Sequence, residues 1–137
     1  MIPDLSELTA ELNRMASKVT MPSGSLVFRG GDPVSGVFLV RKGALSLSLE
    51  PDENPLFPPK ILRPGEIAGL PAALTGTYSL SAHAIEDAEL GFVPVQRVAD
   101  LLESSPRLCL LATRLMSDEI ARMRAALKET PHLHAAE

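Results

Sequence analysis

A change of hydrophobic period near residue 94 constrains the fold of this chain more than any other feature. From Val19 to Val95, short apolar or alternating runs are separated by Gly, Pro and Asp at short intervals, which is typical of an all-β structure. After Pro94 the apolar residues recur at spacings of three and four, the period of a helix. The sequence therefore predicts a β region followed by closing helices.

The predicted strands are short apolar runs bounded by turn-forming residues. They cover about residues 25–28, 36–43, 44–50, 60–63, 79–86 and 88–94. In the third run Leu45, Leu47 and Leu49 alternate with serines, which predicts that the leucines are buried and the serines face the other side. The proline-rich segment 51–60 is predicted to be an irregular loop, because proline cannot donate to a strand ladder.

Helices are predicted on both sides of the β region. Asp4 and Glu7 form a capping-box pattern for a helix at about residues 5–16. The β region covers about residues 19–94, the closing helices about 95–129, and residues 130–137 form a tail because the proline at 131 disfavours helical geometry before it. The 137 residues are predicted to form a single domain.

An apolar stripe runs along the second closing helix. Its members are spaced four and three residues apart: Cys109, Thr113, Met116, Ile120, Met123 and Leu127. A stripe of this kind has two explanations, since it serves equally for packing on the chain's own β region and for a homodimer seam. A second apolar line, formed by Leu108, Leu111 and Leu115, is offset from the first, so the helix has residues for both contacts.

Composition excludes several classes of function. The single cysteine excludes an intrachain disulfide framework, a cysteine-ligated iron–sulfur cluster and a thiolate zinc site, and it suits a reducing compartment. No apolar run approaches the roughly 20 residues that span a bilayer, and the N-terminus lacks a signal peptide's basic start and apolar run. We expect a cytoplasmic protein without membrane contact. The net charge of −4 argues against a nucleic-acid partner.

No group of residues predicts catalysis or metal binding. Ser81 and Cys109 have no histidine neighbour in the sequence pattern that would activate them. His132 and His134 form an H-x-H pair in the tail without a third ligand nearby. His83 is predicted to point away from the face that Ala82 occupies. We expect no catalytic residue, no metal and no cofactor.

Two segments of the β region resemble a known family. Segment 27–49, "VFRGGDPVSGVFLVRKGALSLSL", is similar to the first half of the cyclic-nucleotide-binding β-roll of the cAMP-receptor-protein and FNR (Crp/Fnr) type. Segment 61–82, "ILRPGEIAGLPAALTGTYSLSA", resembles the part of that roll that holds the phosphate-binding cassette. The resemblance covers about residues 20–128. It implies a mainly β fold, a double-stranded β-helix or jelly roll closed by helices.

The resemblance also implies a ligand-binding cassette that has lost two polar anchors. The cassette positions are Gly69, Leu70, Pro71, Leu80, Ser81 and Ala82. In the family, a glutamate at the position of Leu70 takes the ribose hydroxyl and an arginine at the position of Leu80 pairs with the cyclic phosphate. Losing two hydrogen bonds to charged groups should reduce affinity by about 100- to 10,000-fold. We expect cAMP and cGMP to bind weakly or not at all, and the effector is unknown.

Three hypotheses of function remain open. In the first, the module senses another small molecule in a pocket lined by Leu70 and Leu80, and binding in the pocket is transmitted through the long helix. In the second, side chains of the protein fill the pocket, and the module dimerises or pairs with a partner protein. The volume of the cavity distinguishes the first hypothesis from the second. In the third, the module is a shortened transcription regulator. Because only residues 130–137 follow the long helix, where the family has a helix-turn-helix domain, we expect a stand-alone module without direct DNA binding.

Overall fold

Eight strands and four helices make up the computed structural model, which describes residues 6–49 and 59–128. In chain order they are α1 (Ser6–Arg14), β1 (Ser17–Met21), β2 (Leu26–Phe28), β3 (Gly36–Lys42), β4 (Leu45–Ser48), β5 (Lys60–Leu62), β6 (Ile67–Ala68), α2 (Leu70–Thr75), β7 (Ser81–Ala84), β8 (Ala88–Pro94), α3 (Val95–Ser104) and α4 (Pro106–Lys128). One sheet has the strand order β1-β8-β3-β6 and the other β2-β7-β4-β5, with antiparallel neighbours throughout. The predicted jelly roll closed by helices is confirmed.

Most predicted elements are present with shorter bounds. Two strands, β1 and β6, were not predicted from the sequence. β1 is not among the predicted strands, although its partly buried Val19 and Met21 alternate with exposed polar residues. β6 has two residues and is defined by its pairing with Phe38 and Leu39 of β3. Residues 51–58 of the predicted loop and the tail with His132 and His134 lie outside the described residues.

The alternation predicted in β4 holds in part. Leu45 and Leu47 are buried, as predicted, and Leu49 is half-buried. Ser48 lies on the other face from the leucines, as predicted, and is buried there. It pairs with Ser81 of β7, which is itself fully buried, so this end of the sheet is covered on both faces.

Two apolar clusters share strand β3. The inner cluster lies between the sheets, and the outer cluster lies between the first sheet and the helices. Phe38 and Val40 belong to the inner cluster, whereas Val37 and Leu39 belong to the outer one. Because successive side chains of a strand point to opposite faces, a strand covered on both sides reads as a continuous apolar run.

Helix α4 packs on the domain through its second apolar line. Leu108 and Leu111 are buried and Leu115 is half-buried, all in the outer cluster. An ion pair of 2.9 Å between Arg107 and Glu7 also links α4 to α1. The Leu108–Leu111–Leu115 line therefore accounts for the contact between α4 and its own roll.

The stripe predicted as a dimer seam lies beside that line. Cys109 is half-buried and contacts the outer cluster, Thr113 is exposed and donates its hydroxyl to the carbonyl oxygen of Cys109 at 2.9 Å, and Met116 is half-buried. The side chains of the other members lie outside the described part of the structure: Ile120, Met123 and Leu127. The seam stays a prediction. None of the helices in residues 6–49 and 59–128 is long and apolar enough to cross a bilayer.

Candidate functional site

A glycine in the left-handed conformation starts the cassette helix α2. Gly69 caps its N-terminus with φ 90°, a backbone angle that side chains with a Cβ rarely adopt. A Cβ at this position would also lie 3.1 Å from the ring of Tyr78 and 3.3 Å from the carbonyl oxygen of Gly36. Pro71 lies in the first turn of α2, where its missing N–H is tolerated. The chain therefore needs glycine at 69 for both conformation and space.

Helix α2 lies between the two apolar clusters, and its two sides belong to different parts of the protein. Leu70 is fully buried in the outer cluster, and Ala73 packs against the same cluster. Pro71 and Ala72 line a cleft on the other side. The expectation that Leu70 lines the pocket is therefore corrected. A helix turns by about 100° per residue, so positions 70 and 73 share a face that points away from the cleft.

The cleft lies between α2, the segment after it and the strands of the roll. Its lining residues are predominantly apolar: Phe28, Leu47, Ile67, Gly69, Pro71, Ala72, Tyr78, Ser79 and Leu80. Space for water-sized molecules amounts to about 30 Å³, and the cleft with its open mouth measures about 350 Å³. The smaller volume holds about two water molecules. No side chain in this lining carries a charge.

Tyr78 is a buried residue in the wall of the cleft, and the sequence patterns did not predict its role. Its ring stacks on Phe28 with centroids 3.9 Å apart and 9° between the planes, and it is 3% exposed. Its hydroxyl donates to the carbonyl oxygen of Gly36 at 2.7 Å and accepts from the backbone N–H groups of Ser35 and Gly36 at 3.2 Å. The Ser35 hydroxyl lies 3.0 Å away. The hydroxyl therefore forms its hydrogen bonds with the end of the β2–β3 turn and the first residue of β3.

Backbone hydrogen bonds join the same two segments. The Gly31 N–H donates to the carbonyl oxygen of Tyr78 at 2.7 Å, and the Tyr78 N–H donates to that of Asp32 at 3.1 Å. Val34 donates to the carbonyl oxygen of Gly76 at 3.0 Å. The segment between α2 and β7 is therefore held on the turn between β2 and β3 by its backbone and by the Tyr78 side chain.

The remaining predicted cassette residues have three different environments. Leu80 is half-buried and lines the cleft. Ser81 is fully buried, and its hydroxyl oxygen accepts the N–H of Gly30 at 2.8 Å. Ala82 is fully buried in the inner cluster, and the half-buried His83 follows it on the opposite face, as predicted. The structure brings Gly69, Pro71 and Leu80 together at the cleft.

One signal in the sequence does single out Tyr78. It is the only tyrosine of the chain and stands among small residues in "GTYSLSA". A large ring in such a segment is usually buried, and a buried tyrosine hydroxyl needs a hydrogen-bond partner. The partners themselves could not be predicted, because Ser35 and Gly36 are more than 40 residues away in the sequence.

The described residues hold no other arrangement with evident chemistry. Within residues 6–49 and 59–128, no three His, Cys, Asp or Glu side chains come together as a metal site. Cys109 is a free, half-buried thiol. Every buried side-chain nitrogen or oxygen in that part of the chain has a hydrogen-bond partner. The cleft is therefore the candidate site in the described part of the chain.

The family model for the cyclic nucleotide-binding domain matches residues 18–105, which is more than half of the chain. The chain belongs to the cyclic nucleotide-binding domain family. The match spans β1 to α3, including the cleft, and the resemblance to Crp/Fnr regulators is confirmed by the relatives described next.

Two relatives of this family member are transcription regulators. The transcriptional activator protein anr of Pseudomonas aeruginosa is 37% identical over 100 residues, which cover 73% of this chain and 41% of that protein. The transcriptional regulatory protein btr of Bordetella pertussis is 30% identical over 126 residues, which cover 92% of this chain and 50% of that protein. The chain spans half or less of the length of these two relatives.

Solved structures share the fold of this cyclic nucleotide-binding domain. The catabolite activator protein of Thermus thermophilus superposes with a TM-score of 0.74 at 22% identity, and the match covers 89% of this chain and 58% of that one. At this identity the likeness shows the fold alone. All residues that line the described cleft lie within the segment matched by the family model.

Proposed function

We propose that this chain is a regulatory module that senses a small molecule other than a cyclic nucleotide. The observation that carries the proposal is the cleft lining, in which no side chain is charged. The resemblance implies that Leu80 of this lining takes the place of the family's phosphate-binding arginine. Two relatives named as transcription regulators support the regulatory role. The module works without catalysis or a cofactor, and its net charge of −4 supports action without direct DNA contact.

The site disfavours cAMP and cGMP for three physical reasons. Leu70 points into the outer cluster, so the position of the ribose anchor faces away from the cleft. Ser81 is fully buried and is not among the residues that line the cleft. A phosphate beside Leu80 would lose water without gaining a partner of opposite charge.

Isothermal titration calorimetry tests this proposal. The folded protein should show no binding heat with cAMP or cGMP up to millimolar ligand. The Leu80→Arg variant supplies the missing cation at the cleft and should bind more tightly than wild type, with Leu80→Met as the control of similar volume. A micromolar dissociation constant for either nucleotide and the wild-type protein would overturn the proposal.

The second candidate is a non-sensing interaction module with a filled pocket. It is favoured by the small space of about 30 Å³ and by the Tyr78 ring that stacks on Phe28. Thermal-shift screening with nucleotides, fatty acids and organic anions separates the two candidates. An effector at 100 times its dissociation constant adds about 2.7 kcal/mol to the free energy of unfolding, whereas no shift with any compound favours the second candidate.

We propose further that α4 carries the contact with a second copy or with a partner protein. Leu110 is 66% exposed on this helix, and the stripe with Thr113 and Met116 lies beside the line that packs on the roll. Light scattering tests the seam: wild type should be a dimer, Met123→Glu a monomer, and the control Arg114→Glu, at an exposed position on the helix face away from the seam, a dimer. Wild type and Met123→Glu running alike as monomers would contradict it.

A further inference from the structure

Two residues at the end of the β2–β3 turn, Ser35 and Gly36, lie between the cleft and the helices, and we call them the junction. On the cleft side, the Tyr78 hydroxyl accepts the N–H groups of both residues at 3.2 Å and donates to the carbonyl oxygen of Gly36 at 2.7 Å. On the helix side, the carbonyl oxygen of Ser35 accepts the N–H of Val95, the first residue of α3, at 3.0 Å. The junction is therefore hydrogen-bonded to the cleft wall and to a helix at the same time.

The bond from Val95 helps to fix where α3 begins. The first four N–H groups of a helix have no acceptor within the helix, and Pro94 at the N-cap position of α3 has no polar side chain to supply one. The Ser35 carbonyl is an acceptor from outside the helix. Pro94 also pairs with Gly36 across β8 and β3. The junction therefore holds both the strand that leads into α3 and the first N–H of that helix.

The junction is closely packed on its neighbours. A Cβ at Gly36 would collide with the carbonyl oxygen of Val93 and would lie 2.7 Å from the ring of Phe92. The carbonyl oxygen of Gly36 lies 3.3 Å from the point that a Cβ on Gly69 would occupy, and Gly69 caps the N-terminus of α2. Close-packed groups transmit strain because they have no free volume in which to relax. A shift of Tyr78 is therefore expected to reach β8 and the start of α3.

We propose that Tyr78 is a positioning residue that couples the state of the cleft to the start of α3. Its ring stacks on Phe28 with centroids 3.9 Å apart and forms part of the cleft wall, while its hydroxyl holds the junction. A ligand that displaces the ring shifts the junction and, through it, the N–H of Val95. The shift then reaches α4, because Val98 of α3 and Leu108 of α4 are buried in the same outer cluster. The inference rests on the proposed sensing function, for which it names a continuous internal route.

The route can be measured on the free protein. Tyr78 is the only tyrosine of a chain without tryptophan, so tyrosine fluorescence of the folded protein reports on this ring alone. Hydrogen exchange followed by NMR reports on the N–H of Val95. Phe28→Leu removes the stacked ring and leaves the Tyr78 hydroxyl in place. It should change the emission intensity and accelerate exchange at Val95 by about threefold or more, as a partial loss of a hydrogen bond does.

A second variant and a matched control test the role of the hydroxyl. Tyr78→Phe keeps the ring and removes the hydroxyl, so exchange at Val95 should accelerate to a similar extent, and adding Phe28→Leu to it should cause no further acceleration. The control Ser81→Ala removes a hydrogen bond of the same segment, to Gly30, but none to the junction. At low denaturant, where amides exchange by local opening, Val95 in this control should exchange as in wild type.

The outcomes separate this inference from the proposed function. Unchanged exchange at Val95 in Tyr78→Phe would overturn the inference. Equal acceleration in Ser81→Ala would also overturn it, since the effect would then be one of general destabilisation, and so would additive acceleration in the double variant. A measured link in a protein that binds none of the compounds in the thermal-shift screen would contradict the sensing function and keep the role of Tyr78.

Discussion

The two sides of α2 are stabilised in different ways. On the side that faces the other helices, here called the helical side, Leu70 is 0% exposed and contacts apolar residues of the outer cluster. On the cleft side, Tyr78 and Ser81 are joined to the β2–β3 turn by hydrogen bonds of their side chains. Apolar packing depends on buried volume and has no preferred direction, whereas hydrogen bonds depend on distance and angle. The helical side should therefore respond to loss of volume, and the cleft side to loss of single polar atoms.

The largest effect is expected for Leu70→Ala. Truncating a fully buried leucine costs about 2–5 kcal/mol of unfolding free energy, because apolar contacts are lost and a cavity remains. The matched variant Leu80→Ala alters a half-buried leucine at the cleft and should cost about 1 kcal/mol. Urea denaturation of both variants measures the difference. Equal losses would mean that the two leucines share one environment, contrary to the structure.

The second effect is expected for Tyr78→Phe, which keeps the ring on Phe28 and removes the hydroxyl. The buried N–H and carbonyl groups of Gly36 then lose a partner, and an unsatisfied buried polar group costs about 1–3 kcal/mol. Hydrogen exchange should quicken at Gly31 and Tyr78 together, since both amides belong to the joined segments. Unchanged exchange would show that the backbone bonds hold the two segments without the hydroxyl.

The sequence predicts much of the fold because local rules determine it. Glycine and proline mark the turns, and the alternation in β4 and the apolar run of β3 identify central strands. β6 could not be predicted in this way, since two residues carry no period and their pairing with Phe38 and Leu39 is a long-range contact. Strand assignment therefore succeeds where a run is long enough to show its own pattern.

The site is less predictable than the fold. The resemblance predicts that Leu70 and Leu80 belong to one ligand-binding cassette, but the short helix α2 between two clusters turns Leu70 away from the cleft. The direction of that side chain depends on the rotation of α2, which Gly69 fixes through its left-handed backbone. Tyr78 could be recognised as a buried ring, whereas its partners depend on the approach of the β2–β3 turn.

A smaller effect is expected for Ser81→Ala on the cleft side. The Gly30 N–H loses its acceptor, and a net hydrogen bond contributes about 1 kcal/mol to the free energy of unfolding. The control Ser79→Ala removes the hydroxyl of an exposed serine two residues earlier in the same segment and should change the stability by less than about 0.5 kcal/mol. If both variants behave alike, the Gly30 bond contributes nothing measurable.

The smallest effect is expected for the ion pair on the helical side. Arg107 and Glu7 lie 2.9 Å apart, but both side chains are well exposed to solvent, and an exposed pair contributes about 0.2–1 kcal/mol. A double-mutant cycle with Glu7→Gln and Arg107→Gln should give a coupling energy in this range that falls as sodium chloride is raised, because salt screens exposed charges. A coupling well above about 1 kcal/mol, insensitive to salt, would show that α1 and α4 depend on a directional polar contact. In that case the helical side would depend on polar contacts as the cleft side does. The contrast between stabilisation by apolar packing and stabilisation by hydrogen bonds would no longer hold.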